Sequence, residues 1–311
     1  MDLRQISTLI AIADHGSFSA AARALFTTQS NVSAHIARLE RELGVTLVDR
    51  STGGLTDEGV LVVERGRRIQ RELDDITADI SALDDVIAGE TRVGVIGTTG
   101  RWLMPQFLDR LKKKYPDVRP IVSEGGTSNL LPRLVSGQID AAIVHLPVED
   151  PELHVEPLFA EDLVLIAHSK HPWFEYDTLP MSALGEHPLI LPPRSAVLRR
   201  ILNRAAELSG TQLIVQAEID GVRLMASLAF DGFGPAIVPA TAMPRWLNGD
   251  FKRIRVPELP RRVVGWVQRR RPRPGPPTRA AFEVARELIQ ARGPRQPGVH
   301  VGADAFPFKS T

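Results

Sequence analysis

Apolar residues near the start of the chain recur at helical spacing in separate segments. Residues 3–13, LRQISTLIAIA, place apolar side chains on one helical face. Further along, Val32, Ile36, Leu39 and Leu43 are four, three and four residues apart, and Gly44 follows as a C-cap. The alanine-rich segment SFSAAARAL lies between them and favours a third, closely packed helix. These patterns predict a small helical domain over residues 1–58.

A longer apolar stripe follows over residues 57–89 and predicts one long helix. Its members repeat at spacings of seven, four, three, four, three and four: Val62, Ile69, Leu73, Ile76, Ile80, Leu83 and Ile87. One interpretation is a surface helix packed on its own domain. The other is a two-helix dimer seam with heptad-like packing. We favour the seam, because this helix joins two regions and must bury its stripe.

Residues 90–292 alternate between strand-like and helical segments. Eight segments are strand-like: TRVGVIGT, RPIVSEGG, IDAAIV, DLVLIAH, PLILPP, IVQAEID, PAIVPA and RVVGWVQ. Five are helical: RWLMPQFLDRLKKKY, NLLPRLVSG, VLRRILNRAAELSG, VRLMASLAFDG and TRAAFEVARELIQA. This alternation predicts an α/β region with parallel sheets covered by helices. Residues 293–311 are rich in glycine and proline and are predicted to be disordered.

Composition narrows the class of protein. The 311 residues carry a net charge of +1, so charge alone neither favours nor excludes nucleic acid. The chain has no cysteine, which excludes disulfides and thiolate metal sites. The N-terminus lacks the features of a signal peptide, and no run approaches the ~20 apolar residues of a membrane helix. We therefore expect a soluble cytoplasmic protein that does not bind membranes.

The strongest motif is a helix-turn-helix over residues 16–59, since two short helices joined by a tight turn place polar residues for the major groove. The segment resembles the LysR-type transcriptional regulators. The matching residues are Gly16-Ser17-Phe18, Ala21-Ala22, Thr28-Gln29, Ser33, Leu39-Glu40, Glu42-Leu43-Gly44, Leu55-Thr56 and Gly59. The chain departs from the family pattern at Ser30, where proline is usual, at Ala34, where a basic residue is common, and in a short wing, STGG.

The resemblance covers about residues 1–292 and implies an arrangement of domains. Residues 1–58 would be a winged helix-turn-helix and residues 59–89 a linker helix that dimerises. Residues 90–292 would be an effector domain of two α/β subdomains, similar to periplasmic binding proteins. The resemblance also implies that a small molecule binds between the subdomains and controls DNA binding.

The helix-turn-helix offers polar side chains for DNA but little positive charge. Gln29 can form two hydrogen bonds with adenine, and Arg50 can hold a phosphate or enter the minor groove. The full set of predicted DNA-binding residues is Ser17, Thr28, Gln29, Ser30, Asn31, Ser33, His35, Arg38 and Arg50. Residues 1–60 contain five arginines and seven acidic residues, a balance of −2. A single domain should bind DNA weakly, and two domains linked in a dimer should bind more tightly.

Three turns in the α/β region carry hydroxyl groups at predicted helix starts, where free amides favour anions. The predicted effector-binding residues are Thr98, Thr99, Thr127, Ser128, His145, Arg194 and Ser195, with Arg194 as the partner of a carboxylate. The alternative is that these hydroxyls only cap helices. Gly94, Gly97 and Gly100 do not match a dinucleotide-binding fold, because their spacing is G-x-x-G-x-x-G.

No catalytic motif is evident. We therefore predict that the protein is not an enzyme and that it binds no metal and no cofactor. The sequence thus predicts a homo-oligomeric transcription factor, dimeric or tetrameric, that binds double-stranded DNA. Its effector would be a small organic anion. The alternative is a cytosolic ligand-binding or enzymatic α/β protein whose N-terminal helices serve only assembly.

Overall fold

The computed structural model describes residues 1–83, 86–243, 245–302, 305 and 306. The helices are α1 (Leu3–His15), α2 (Phe18–Ala24), α3 (Gln29–Leu43), α4 (Asp57–Leu83), α5 (Gly97–Lys114), α6 (Thr127–Val135), α7 (Val197–Leu208), α8 (Val222–Phe230) and α9 (Pro276–Arg292). The strands are β1 (Gly89–Val95), β2 (Val118–Glu124), β3 (Ala141–His145), β4 (Leu153–Glu161), β5 (Leu163–His168), β6 (Leu189–Leu191), β7 (Val215–Glu218), β8 (Ala236–Pro239), β9 (Phe251–Arg255), β10 (Arg262–Arg269) and β11 (Val299–His300). Among these residues, no helix is long and apolar enough to cross a bilayer.

Helices α1 to α3 pack into the small helical domain that the apolar pattern predicted, which we call the head. Leu9, Ile36 and Leu39 are fully buried between the helices. Each helix starts with a side-chain cap, because Asp2, Ser17 and Thr28 accept a hydrogen bond from a backbone amide in the first turn. Helix α3 ends at Leu43, and Gly44 caps it in the left-handed conformation, as predicted. A short bridge between Val48 and Leu55 forms the wing.

Helix α4 leaves the head with an exposed apolar stripe. The middle of the predicted stripe, Ile69, Leu73, Ile76 and Ile80, faces solvent. The ends are packed, with Val62 on the head and Ile87 on the core that follows. The helix ends at Leu83, whose side chain lies outside the described residues, so the predicted end at residue 89 is wrong. The chain is extended from Gly89, where β1 pairs with β2.

The rest of the chain forms two α/β subdomains, each built on one sheet. The six-stranded sheet has the order β11-β4-β10-β3-β1-β2, and the five-stranded sheet has the order β7-β6-β8-β5-β9. The chain crosses between the sheets from β4 to β5 and from β9 to β10. Both sheets are mixed rather than parallel, since β10 runs antiparallel to β3 and β4, and β5 runs antiparallel to β8 and β9.

Strands β4 and β9 were not predicted, and each has a weak local signal. Pro157 lies in β4 beside an irregularity in its pairing with β10, and proline removes a ladder hydrogen bond. Strand β9, FKRIR, is short and rich in charge. Both strands are defined by their neighbours, because pairing across a sheet outweighs local preference.

The predicted disorder of the C-terminal segment is wrong for residues 293–302. Strand β11 pairs with the end of β4. The amide of Gln296, which is buried, donates hydrogen bonds to the carbonyl groups of Ala240 and Met243. These tertiary contacts fix a segment whose composition alone favours disorder. Residues 303, 304 and 307–311 lie outside the described residues.

Candidate DNA-binding surface and effector cleft

The first turn of α3 presents a connected set of exposed polar side chains. The Thr28 hydroxyl accepts a hydrogen bond from the Asn31 amide at 3.3 Å and lies 2.9 Å from the Ser30 hydroxyl. Gln29 accepts a hydrogen bond from Ser19 on α2 at 2.8 Å, which orients its amide. The N-terminal turn of a recognition helix is the part that contacts base edges in helix-turn-helix proteins. These residues therefore lie where base contact is expected.

Both acidic residues of α3 are occupied within the head. Glu40 accepts hydrogen bonds from the amides of Leu47 and Val48 at 2.9 and 3.3 Å, so it holds the start of the wing. It also pairs with Arg50 at 3.5 Å. Glu42 pairs with the N-terminal ammonium group of Met1. The two carboxylates thus interact with amide and positive groups of the head itself.

The other residues predicted to contact DNA differ in their exposure and in their contacts within the head. Arg38 and Arg50 are exposed, Ser17 caps α2, and Ser33 is half-buried. His35 is half-buried, and its ring contacts the buried Thr8 hydroxyl of α1 at 3.1 Å.

Two exposed residues beside this surface were not predicted to contact DNA. Arg41 lies on the face of α3 opposite the buried Val32 and Ile36, and helical spacing from Val32 and Ile36 would have identified it. Phe26 is 99% exposed in the turn before α3. Its φ of 51° is a left-handed conformation that is uncommon for a bulky residue, and no local sequence signal indicated it.

Between the two sheets lies a cleft of about 460 Å³, which is within the usual range for a small-molecule site. Four helix starts line it. Helices α5 and α6 follow strands of the six-stranded sheet, whereas α7 and α8 follow strands of the five-stranded sheet. Both subdomains therefore supply amide groups to the same space.

None of these four helices, all within the described part of the chain, has a side-chain cap hydrogen bond at its start. The three helices of the head, in contrast, each have such a cap. The alternative explanation, that the cleft hydroxyls serve as side-chain caps of these helices, is therefore wrong. The first turn of any helix leaves amide groups without intrahelical partners, and the helix dipole adds positive potential there. The cleft thus brings four such helix starts together, and its lining also contains the carboxylates of Glu124 and Asp220.

Arg262 is a buried positive group that lines the cleft and was not predicted. Its Nε donates to Glu161 at 2.7 Å and its Nη2 donates to Thr98 at 2.8 Å. The second oxygen of Glu161 accepts from the Thr241 amide at 2.9 Å. Arg262 follows Arg261 at the start of β10, and only the pairing of β10 decides which of the two side chains points inward.

The other predicted effector residues divide between the cleft and its surroundings. Thr98, Thr127, Ser128, His145 and Ser195 line the cleft. Burial, together with the nearby charge of Arg262, lowers the pKa of His145 to about 3, so the ring is neutral at pH 7.

Two predicted residues, Arg194 and Thr99, do not line the cleft. Arg194 is exposed and is not part of the cleft lining, so its predicted role as the charge partner stays a prediction. Thr99 is buried behind the cleft, with a hydroxyl that has no hydrogen-bond partner among the described residues. Arg223 of α8, which does line the cleft, pairs with Glu124 of β2 at 3.1 Å.

We expect Arg262→Met to destabilise the protein by about 3–5 kcal/mol, because it leaves the fully buried Glu161 carboxylate without its counter-charge. Urea denaturation measures this change. Arg261→Met is the matched control: Arg261 pairs with Asp162 near solvent, and its loss should cost less than about 1 kcal/mol. Equal losses of stability in the two variants would contradict the role of Arg262 as the counter-charge of Glu161.

Both parts of the chain match known families. Residues 3–60 match the bacterial regulatory helix-turn-helix protein, lysR family, and residues 84–290 match the LysR substrate binding domain. The chain is 30% identical over 298 residues to the DNA-binding transcriptional dual regulator OxyR of Escherichia coli K12, covering 94% of this chain and 96% of that protein. It is 33% identical over 247 residues to the probable hydrogen peroxide-inducible genes activator of Mycobacterium leprae, covering 77% and 78% of the two chains.

Solved structures share the fold. A full-length cysteine-to-aspartate variant of OxyR from Pseudomonas aeruginosa matches with a TM-score of 0.74 and 24% identity, covering 93% of this chain and 95% of that one. Full-length CbnR in complex with its target DNA matches with a TM-score of 0.69 and 23% identity, covering 92% and 99%. The relatives in sequence include transcriptional regulators, which confirms the predicted non-enzymatic class and the resemblance seen in residues 16–59. The chain belongs to the LysR family of DNA-binding transcriptional regulators with an effector-binding domain.

Proposed function

We propose that this regulator acts in the cytoplasm as a dimer, or a pair of dimers, and that a small organic anion in the cleft controls its DNA binding. Three features support the proposal: the exposed polar start of α3, the apolar stripe of α4, and the cleft. The observation that carries the effector assignment is the convergence of four uncapped helix starts on one cavity that Arg262 also lines.

For DNA, we propose that the first turn of α3 contacts base edges and that Arg38 and Arg50 contact phosphates. Gln29 is the best candidate for base discrimination, because Ser19 already orients its amide and an amide can form two hydrogen bonds with adenine. Arg50 lies at the wing with a side chain 60% exposed, so it can reach the backbone or the minor groove.

Gln29→Ala should remove about 1–3 kcal/mol of discrimination at one base pair and leave the salt dependence of binding unchanged. Arg50→Ala should weaken binding to all sequences and reduce the salt slope by about one. Gel shifts on the DNA upstream of the protein's own gene, at several salt concentrations, separate these effects. Arg119→Ala, an exposed arginine of β2, is the control and should change neither quantity. Unchanged binding in both head variants would rule out the assignment.

The apolar stripe of α4 supports self-association. Ile76 and Ile80 are 55% and 60% exposed along the same face as Ile69 and Leu73. A second copy of α4 would cover this face with the heptad-like spacing of the stripe. Dimerisation would also compensate for the weak DNA affinity expected of one head, since two linked heads gain affinity without any new contact to DNA.

Ile76→Glu should convert the dimer into a monomer, because it places a charge in the middle of the proposed seam. DNA affinity should then fall by roughly 100-fold, as avidity is lost. Sedimentation velocity and fluorescence anisotropy measure the two effects. Leu208→Glu alters a leucine of α7 that is 81% exposed and should change neither. A monomer that keeps full affinity would show that avidity is not required.

A response to peroxide through a thiol is excluded for this chain. Several relatives are hydrogen peroxide-inducible genes activators, and a cysteine-to-serine variant of OxyR from Corynebacterium glutamicum is known with hydrogen peroxide bound. This chain has no cysteine, and oxidation to a sulfenic acid or a disulfide requires one. Reversible binding in the cleft is therefore the proposed input.

We expect one or more small carboxylates to raise the melting temperature, whereas the matching amides and alcohols should not. A ligand at 100 times its dissociation constant stabilises the native state by about 2.7 kcal/mol. Ser128→Trp should abolish the shift, because Ser128 lines the cleft and the indole would occupy it. Ser182→Trp changes an exposed serine that is not part of the cleft lining, and this variant should retain the shift. Equal shifts by acids and amides would contradict an anion-specific site.

A further inference from the structure

One turn of α4 contacts the DNA-binding head. Arg67 forms an ion pair with Asp14 at the end of α1. Gln70 donates a hydrogen bond to the Ser7 hydroxyl at 2.9 Å. Gly66 lies against Ile6, with no room for a Cβ between them. The head is therefore fixed to α4 at residues 66–70.

The same turn also holds the effector domain. Arg68 donates to the Val135 carbonyl at 3.2 Å, and Arg71 donates to the Ser136 carbonyl at 3.5 Å. Both carbonyls lie at the C-terminal end of α6, where the helix dipole favours positive charge. Arg71 is buried, and burial lowers its pKa to about 10, which leaves the guanidinium charged at neutral pH.

Helix α6 reaches from this contact to the cleft. Its first residues, Thr127 and Ser128, line the cleft, and its nine residues span about 13 Å. Leu130 and Leu134 are fully buried in the core of the first subdomain. A ligand at the uncapped start of α6 thus contacts one end of a short helix whose other end contacts α4.

We propose that Arg68 and Arg71 are positioning residues that clasp the linker helix to the C-terminal end of α6, so that a shift of α6 caused by an occupant of the cleft is transmitted to the DNA-binding head. This clasp rests on the proposed effector function. A shift would pass from the cleft through α6 to Arg68 and Arg71. It would then pass through residues 66–70 of α4 to α1 of the head. Helix α4 also packs on α9 and β1, but α6 is the partner of α4 that itself lines the cleft.

Gly137 gives a second way to break the clasp. It follows Ser136 with a φ of 75°, and a Cβ at this position would overlap the Arg71 guanidinium. Gly137→Ala therefore displaces Arg71 without altering any charge. Gly210 is its matched control, because it has a φ of 63° and no atom within 4 Å of a Cβ built on it. Gly210→Ala introduces the same backbone strain without a clash.

A double-mutant cycle in the full-length protein tests the clasp. The cleft is perturbed by Ser128→Trp, and the clasp by Arg71→Met or Gly137→Ala. Affinity for the upstream DNA is measured by fluorescence anisotropy for each single and double variant. Ser128→Trp should change DNA affinity at least about fivefold, the lower end of typical allosteric coupling. The change should remain in the Gly210→Ala background and fall below twofold in the Arg71→Met and Gly137→Ala backgrounds.

The outcomes separate the clasp from the proposed function. An equal effect of Ser128→Trp in all backgrounds would overturn the clasp and leave effector control intact. No effect in the parent chain would also overturn it, since α6 would then transmit nothing. The carboxylate melting shift reports binding in the cleft without DNA. A positive shift with an equal effect in all backgrounds therefore rejects the clasp alone, whereas no shift rejects the effector proposal itself.

Discussion

The buried ion pair between Glu161 and Arg262 connects the two places where the chain crosses between the subdomains. Glu161 ends β4 before the first crossing, and Arg262 begins β10 after the second. Two charges taken out of water are tolerated only when their remaining hydrogen-bond groups are also satisfied. The Thr241 amide and the Thr98 hydroxyl supply those bonds. Arg262 also lines the cleft, so the proposed anion would bind beside the ion pair that joins the two crossings.

The helices of the head and those of the cleft differ in how their N-termini are satisfied. In the head, Asp2, Ser17 and Thr28 cap their own helices, so each helix is complete without a ligand. In the cleft, four helices begin without a side-chain cap. Free amides at a helix start need an outside partner, either water or a ligand. The DNA surface is thus fixed by local contacts, whereas the cleft is left open to a molecule that enters it.

The low positive charge of the head has a structural explanation. Glu40 fixes the start of the wing, and Glu42 pairs with the chain's own terminal ammonium group. Both acidic residues of α3 therefore interact with groups of the head itself. Under the proposed function, affinity would depend on how two heads are joined. Helix α4 would then be central, because it has the exposed apolar stripe and its neighbouring turn contacts both the head and the effector domain.

The sequence by itself determined the family, the head and the alternation of helices and strands, because these depend on local periodicity, capping residues and a motif of more than forty residues. It also placed five of the seven predicted effector residues at the cleft. Only the tertiary structure decided the mixed sheets, strands β4 and β9, and the ordered segment 293–302, since pairing partners lie far apart along the chain. It also decided that Arg262, not Arg194, faces the cleft, because strand register, which no local pattern contains, sets the direction of a side chain.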